Sequence, residues 1–206
     1  DGLFQFTAGA LDHRAEVGRE YAIRLGLDKD RAYGSWQEML AGEKCRDDRI
    51  DLVTIATPNS THFEITKAFL EAGINVLCEK PMTMTVDEGE QIVRVVNSTG
   101  KICAVNYCYS AYPMVRQARA MVRAGEIGKV RLVVSNFSHG HHGDAMDADN
   151  PRVRWRYDPA MAGISGQFAD CGIHALHMAS FLSNDQVETL SADFVSTIPS
   201  RKLEDD

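Results

Sequence analysis

Three short apolar runs constrain the fold of this chain most: DLVTIATP at 51–58, INVLCEK at 74–80 and KICAVNY at 101–107. Each is rich in β-branched residues and too short for a helix, as strands buried on both faces must be. Helical segments lie between them. One runs over 61–72 and stops at Gly73; the other runs over 85–96 and opens with Thr85 and Glu88 in capping-box spacing. Strands alternating with helices imply right-handed βαβ units, and hence a parallel sheet covered by helices.

The pattern extends toward the start of the chain. Residues 3–11 read as a strand ending at Asp12, residues 14–25 as a helix stopped by Gly26, and residues 35–40 as a short helix begun by Ser35, with Glu38 in capping-box position. After residue 107 the rhythm changes. Pro113 starts a helix that Gly125 caps, and 166–182 reads as another helix. Residues 129–137 and 187–198 alternate polar with apolar side chains, which predicts a second sheet with one exposed face. A domain boundary is expected at 107–112, dividing the chain into 1–107 and 108–206.

A formal net charge of −7 argues against a nucleic-acid groove or a basic membrane surface. With 44% hydrophobic residues in 206, a sizeable core can form, yet no apolar run approaches the ~20 residues that would span a bilayer. The five cysteines are odd in number and lack zinc-type spacing. Free thiols of this kind suit a reducing cytoplasm.

In an open parallel sheet, ligands sit beyond the carboxyl ends of the strands. Asp12, TPNSTH and CEKP all have that address. An acid in the position of Asp12 can bond a ribose 2′-hydroxyl and repel a 2′-phosphate, whereas Arg14 beside it can receive one. In CEKP, Pro81 fixes a turn and lacks an amide donor, which leaves Glu79 and Lys80 at the sheet rim. Lys80 there can hydrogen-bond a substrate hydroxyl; the plainer alternative is a solvated charge pair.

In ADCGIHALHM, Asp170, His174 and His177 share one face if the segment is an α-helix, so the acid can orient an imidazole that serves as general base. A core histidine with a local hydrogen bond is the alternative. His139, His141, His142 and Asp144 crowd a glycine-containing loop without ligand spacing, so no metal is assigned to them. Arg152, Arg154 and Arg156 flank Trp155, a composition equally suited to sugar or carboxylate recognition and to an exposed strand face.

Taken together, ATPNSTH, LEAGINVLCEKPMTMT, GEIGKVRLV and DCGIH resemble the Gfo/Idh/MocA family, the relatives of glucose–fructose oxidoreductase and inositol dehydrogenase. The resemblance implies a Rossmann-type parallel-sheet domain followed by an α/β domain with a large, open, mostly antiparallel sheet. It implies NAD as cofactor, with NADP as the alternative, and hydride transfer at a carbinol carbon of a sugar, polyol or cyclitol. Lys80, Asp170 and His174 then fall in the catalytic positions. Asp12, Arg14, Thr57, Pro58, Asn59, His62, Glu79, Lys80, Pro81 and Asn106 fall along the cofactor; Tyr107, Arg154 and Trp155 join the catalytic three at the substrate. A homo-oligomer through the second sheet is also implied. The family's first strand and glycine-rich loop have no counterpart here, so the chain reads as a portion of a longer enzyme. The same fold also admits a non-catalytic nucleotide or sugar sensor, and redox-assisted glycoside cleavage.

Overall fold

The computed structural model describes residues 3–138 and 149–204. The three apolar runs form strands β1 (Leu52–Ile55), β2 (Asn75–Glu79) and β3 (Cys103–Asn106), adjacent in that order in one sheet. The start of each strand bonds the start of the next, as parallel pairing requires: Asn75 N–H donates to Asp51 O (3.2 Å) and Val76 N–H to Ile102 O (2.9 Å). Helices α1 (Ala15–Arg24), α2 (Trp36–Glu43), α3 (His62–Glu71) and α4 (Val86–Thr99) complete this region.

The helix ends obey the local chemistry. At α4 the capping box is reciprocal: Glu88 N–H donates to Thr85 Oγ1 (3.2 Å) and Thr85 N–H to Glu88 Oε2 (3.3 Å). At α2, Ser35 Oγ accepts from Glu38 N–H (3.2 Å), but the Glu38 carboxylate turns to Gly34 N–H and Arg19 instead of completing the box. Gly26 and Gly73 take positive φ just past α1 and α3, where a side chain would be strained.

The chain forms two compact units. The first holds 1–55, 64–77 and 90–104, and its core is apolar: Val53 and Ile55 from β1, Val76 from β2, Ile65, Phe69 and Leu70 from α3, and Ile92 from α4 are all buried. It also encloses a charge network that the sequence pattern did not reveal. Glu43 is fully buried; Arg31 reaches it through Nε (3.0 Å) and Nη2 (2.5 Å), while Tyr33 O–H and Ile50 N–H donate to it at 3.0 and 3.1 Å.

The second unit holds 56–63, 78–89 and 105–206, with helices α5 (Pro113–Arg123), α6 (Pro159–Ala162) and α7 (Ile173–Ser183). α7 is preceded by one π-helical turn, Phe168–Gly172, in which Ile173 N–H reaches back five residues to Phe168 O.

Three sequence expectations are corrected. Residues 3–11 do not form a strand; they make a single parallel bridge at Gly9, whose N–H and C=O pair with Arg31 O and Tyr33 N–H. Residues 129–137 and 187–198 form no strand among the described residues, so the expected open antiparallel sheet is not seen there. Alternation marks a segment suited to a sheet, but a ladder needs neighbours; here Leu132, Val134 and Leu190 stay 80%, 84% and 74% exposed. Finally, 166–182 is helical as expected from Gln167 on, but its first turn, Phe168–Gly172, is a π-turn rather than an α-turn.

Candidate active site

The second unit assembles the site around Lys80. β2 delivers Glu79 and Lys80 at its end, and the Lys80–Pro81 peptide is cis. Asn106, at the end of β3, donates to Glu79 Oε1 (2.5 Å), and Lys80 N–H lies 3.3 Å from Glu79 Oε2. Glu79 thus braces the rim, and the Lys80 side chain, 12% exposed, is directed to Asp170. Lys80 Nζ donates to Asp170 Oδ1 and to the Asp170 carbonyl, both at 2.6 Å. Asp170 itself sits within the π-turn Phe168–Gly172.

That turn also changes the expected Asp170–His174 partnership. A π-turn is wider than an α-turn, so residues four apart no longer stand one above the other. Asp170 pairs with cations: Lys80 on Oδ1, and Arg156 Nε at 3.4 Å from Oδ2, an ion-pair contact. His174 is buried, and its Nδ1 meets no hydrogen-bond partner among the described residues.

Aromatic rings surround His174: Tyr109 edge-on at 4.7 Å, Phe137 at 6.0 Å and Tyr107 edge-on at 6.1 Å. Burial, with help from the Lys80 cation, lowers the His174 pKa below its ordinary 6.5. Both effects favour the neutral ring, the form that can accept a proton. His177 stacks flat on Tyr107 at 3.9 Å and contributes to this wall. Burial pushes the Cys171 thiol up to about 11, so it is no nucleophile at neutral pH.

The other expected site residues divide. Thr57 and Thr61 share a hydroxyl–hydroxyl bond of 2.6 Å, Thr61 Oγ1 donates to Pro58 O, and Asn59 Nδ2 donates to Ala162 O at 2.9 Å. His62 does not present a free nitrogen. It is 1% exposed, with Nδ1 2.7 Å from Pro81 O and Nε2 2.8 Å from Thr57 O, so it ties the TPNSTH loop to the EKP turn. Arg154 is exposed, whereas Arg156, two residues on, meets Asp170 and lies over the Trp155 ring (4.4 Å). The 3₁₀ turn Arg154–Tyr157 sets that choice, and only its phase would have separated the two arginines in the sequence. Tyr109 was also missed, for want of any motif around it. Among the described residues no group of His, Cys, Asp or Glu could hold a metal ion; His139, His141, His142 and Asp144 lie outside them.

In the first unit, Arg14 grips Asp12 in a fork, Nε to Oδ1 at 2.9 Å and Nη2 to Oδ2 at 3.0 Å, with its own N–H on Oδ1 at 2.8 Å. These bonds hold the Asp12 carboxyl well below the usual carboxylate range. Ionised, the Asp12 carboxylate is an acceptor of the kind a ribose hydroxyl can donate to.

Comparison with known proteins identifies the family. The oxidoreductase-family model for an NAD-binding Rossmann fold matches residues 4–107, and the GFO/IDH/MocA C-terminal domain matches 115–206. An uncharacterised Bacillus subtilis oxidoreductase, YfiI, is 42% identical over 205 residues, 98% of this chain and 52% of that protein. A D-xylose 1-dehydrogenase (NADP+) of Haloferax volcanii is 34% identical over 175 residues, 85% of this chain and 49% of its own. Among solved structures, an inositol dehydrogenase homologue from Azotobacter vinelandii in complex with NAD+ superposes with a TM-score of 0.82 at 38% identity, covering 87% of this chain and 46% of that one. The chain spans about half the length of the curated relatives it matches. From strand order to rim lysine, it belongs to the Gfo/Idh/MocA oxidoreductase family.

Proposed function

We propose that this chain carries the catalytic residues of an NAD(P)-dependent dehydrogenase acting on a carbinol carbon of a sugar, polyol or cyclitol. The observation that carries this is Lys80 held by Asp170, with His174 buried in the same unit. An ammonium has three donors. Asp170 takes two of the Lys80 N–H groups, which leaves one for a substrate oxygen. Lys80 then stabilises negative charge developing on that oxygen, the principle of an oxyanion site. His174 accepts the hydroxyl proton, and the rings of Tyr107, Tyr109 and Phe137 exclude water from it. Asp170 acts by orienting Lys80, not the imidazole. Trp155 and Arg156 are the better candidates beside the substrate, with Arg154 removed from the set.

For the cofactor we assign Asp12 to the ribose and Thr57, Pro58, Asn59, Glu79, Pro81 and Asn106 to the rim, with His62 as their brace. Nicotinamide supplies the hydride acceptor in oxidation and the donor in reduction. NAD is favoured because Asp12 is ionised; NADP would require Arg14 to leave Asp12 for a phosphate. Relatives named for either cofactor are on record. The test is nicotinamide absorbance on the intact protein with NAD and NADP separately, across inositols, aldoses and sugar acids. Turnover of one panel member is expected. Tight NADH binding with no turnover on any of them would favour a sensor.

A pH dependence follows from His174. Its native pKa lies below 6.5, so the acid limb of kcat/KM is expected below the ordinary histidine range. The native state also binds fewer protons than the unfolded chain as pH falls. Stability from this group is therefore intact above about pH 6.5 and declines as pH drops through that value toward the native pKa. His174→Asn should abolish the limb; an unchanged limb in that variant would assign it to another group.

A further inference from the structure

The turn that carries Asp170 is closed from far down the chain. Glu204 Oε1 accepts from Ser165 Oγ (2.5 Å), Gly166 N–H (2.8 Å) and Phe168 N–H (3.2 Å), while the Glu204 carbonyl accepts from Gln167 N–H (3.2 Å). Ser165 Oγ in turn accepts from Ala169 N–H at 3.2 Å. The amides of residues 166 to 169, which have no acceptor within a helix start, are thus all satisfied by Glu204 and the serine it holds. Asp170 N–H is the next amide, and it bonds Gly166 O at 3.1 Å. The fit is close: a Cβ on Gly166 would stand 2.6 Å from Glu204 O and 2.9 Å from Leu203 Cβ, and Leu203 is buried.

Two acceptors of Asp170 must meet one Lys80 nitrogen, the carbonyl fixed by the turn and Oδ1 by the side chain. The turn can satisfy both only in one position, and Glu204 is what anchors its beginning. We propose that Glu204 is a positioning residue for the Lys80–Asp170 pair, an assignment that rests on the dehydrogenase reading above.

A cap that served stability alone would lower Tm and leave turnover per folded molecule unchanged. A positioning residue moves kcat and leaves the KM for nicotinamide cofactor in place. Misplacement of a reacting group on the ångström scale costs up to about a hundredfold in rate, so Glu204→Ala should lower kcat of the folded, intact protein by about ten- to a hundredfold. Glu204→Gln keeps an Oε1 acceptor and should recover most of that rate, and it serves as the folded comparison with Glu204→Asp, which cannot reach as far, if the alanine variant fails to fold. Leu203→Ala loosens the same segment without touching the acceptor and should lower Tm with kcat near wild type. A kcat within twofold of wild type in Glu204→Ala and Glu204→Asp, or an equal loss in Leu203→Ala, overturns the proposal. Lys80→Met measured alongside separates the two levels: if it is inactive while the Glu204 variants are not, only the positioning role fails, and if it keeps wild-type turnover, the catalytic role of Lys80 on which the positioning rests fails first.

Discussion

Lys80→Met should reduce turnover of the intact protein by about 10²–10⁴-fold, the range for loss of a positioned proton-handling or charge-stabilising group, with nicotinamide cofactor still bound. Methionine keeps a long apolar stem in a place where the lysine side chain is 12% exposed, and it removes only the ammonium. The fold should tolerate the change because Asp170 is not left as an unpaired buried charge: it is 27% exposed and keeps Arg156 at 3.4 Å. Lys80→Arg is the informative companion. A guanidinium is a planar fork, and it cannot place two donors on Oδ1 and the carbonyl of one residue while turning a third toward a substrate. It should therefore remain severely impaired despite its charge. Stopped-flow or steady-state nicotinamide absorbance measures the rate, and NADH fluorescence titration measures the binding. Wild-type turnover in Lys80→Met would remove the lysine from the chemistry.

How much of this was legible in the sequence depends on the range of the interaction. Thr85 and Glu88 act within three residues, and the structure realises their box as written. β1, β2 and β3 were legible because each is an apolar run between breakers. The EKP and DCGIH motifs were legible as types, but their partnership was read with the wrong geometry. An i, i+4 spacing predicts an Asp170–His174 contact on an α-helix, and nothing local announces the π-turn that sends Asp170 to Lys80. His62 was placed along the cofactor by the family resemblance alone; its burial depends on two carbonyls, one from its own loop and one 19 residues away. Alternation in 129–137 and 187–198 gave β character without a partner to pair with.

The least legible feature predicts the largest stability effect. Glu43 and Arg31 are charged residues 12 apart, which a pattern search assigns to the surface, yet Glu43 is fully buried and Arg31 is 7% exposed. Glu43 collects four donors, from Arg31 Nε, Arg31 Nη2, Tyr33 O–H and Ile50 N–H, so its removal leaves the buried guanidinium with Asp48 alone and takes the acceptor from a phenol and an amide as well. Burial raises the Tyr33 pKa to about 12, which keeps the phenol protonated as a donor to Glu43. Breaking a buried pair by deleting one partner typically costs about 3–5 kcal/mol. Against a total stability of about 5–15 kcal/mol, Glu43→Ala should bring the first unit close to unfolding at 25 °C. Glu43→Gln keeps the shape and two hydrogen bonds but leaves Arg31 with only Asp48 at 3.3 Å, so it should fall between wild type and alanine. Arg31→Met combined with Glu43→Gln should cost less than the sum of the single changes, because each single variant already breaks the same network. Urea denaturation followed by circular dichroism gives the values for all four variants, Arg31→Met alone included. A loss under about 1 kcal/mol for Glu43→Ala would mean that water reaches the stranded groups, and that the network is a rim of the core and not part of it.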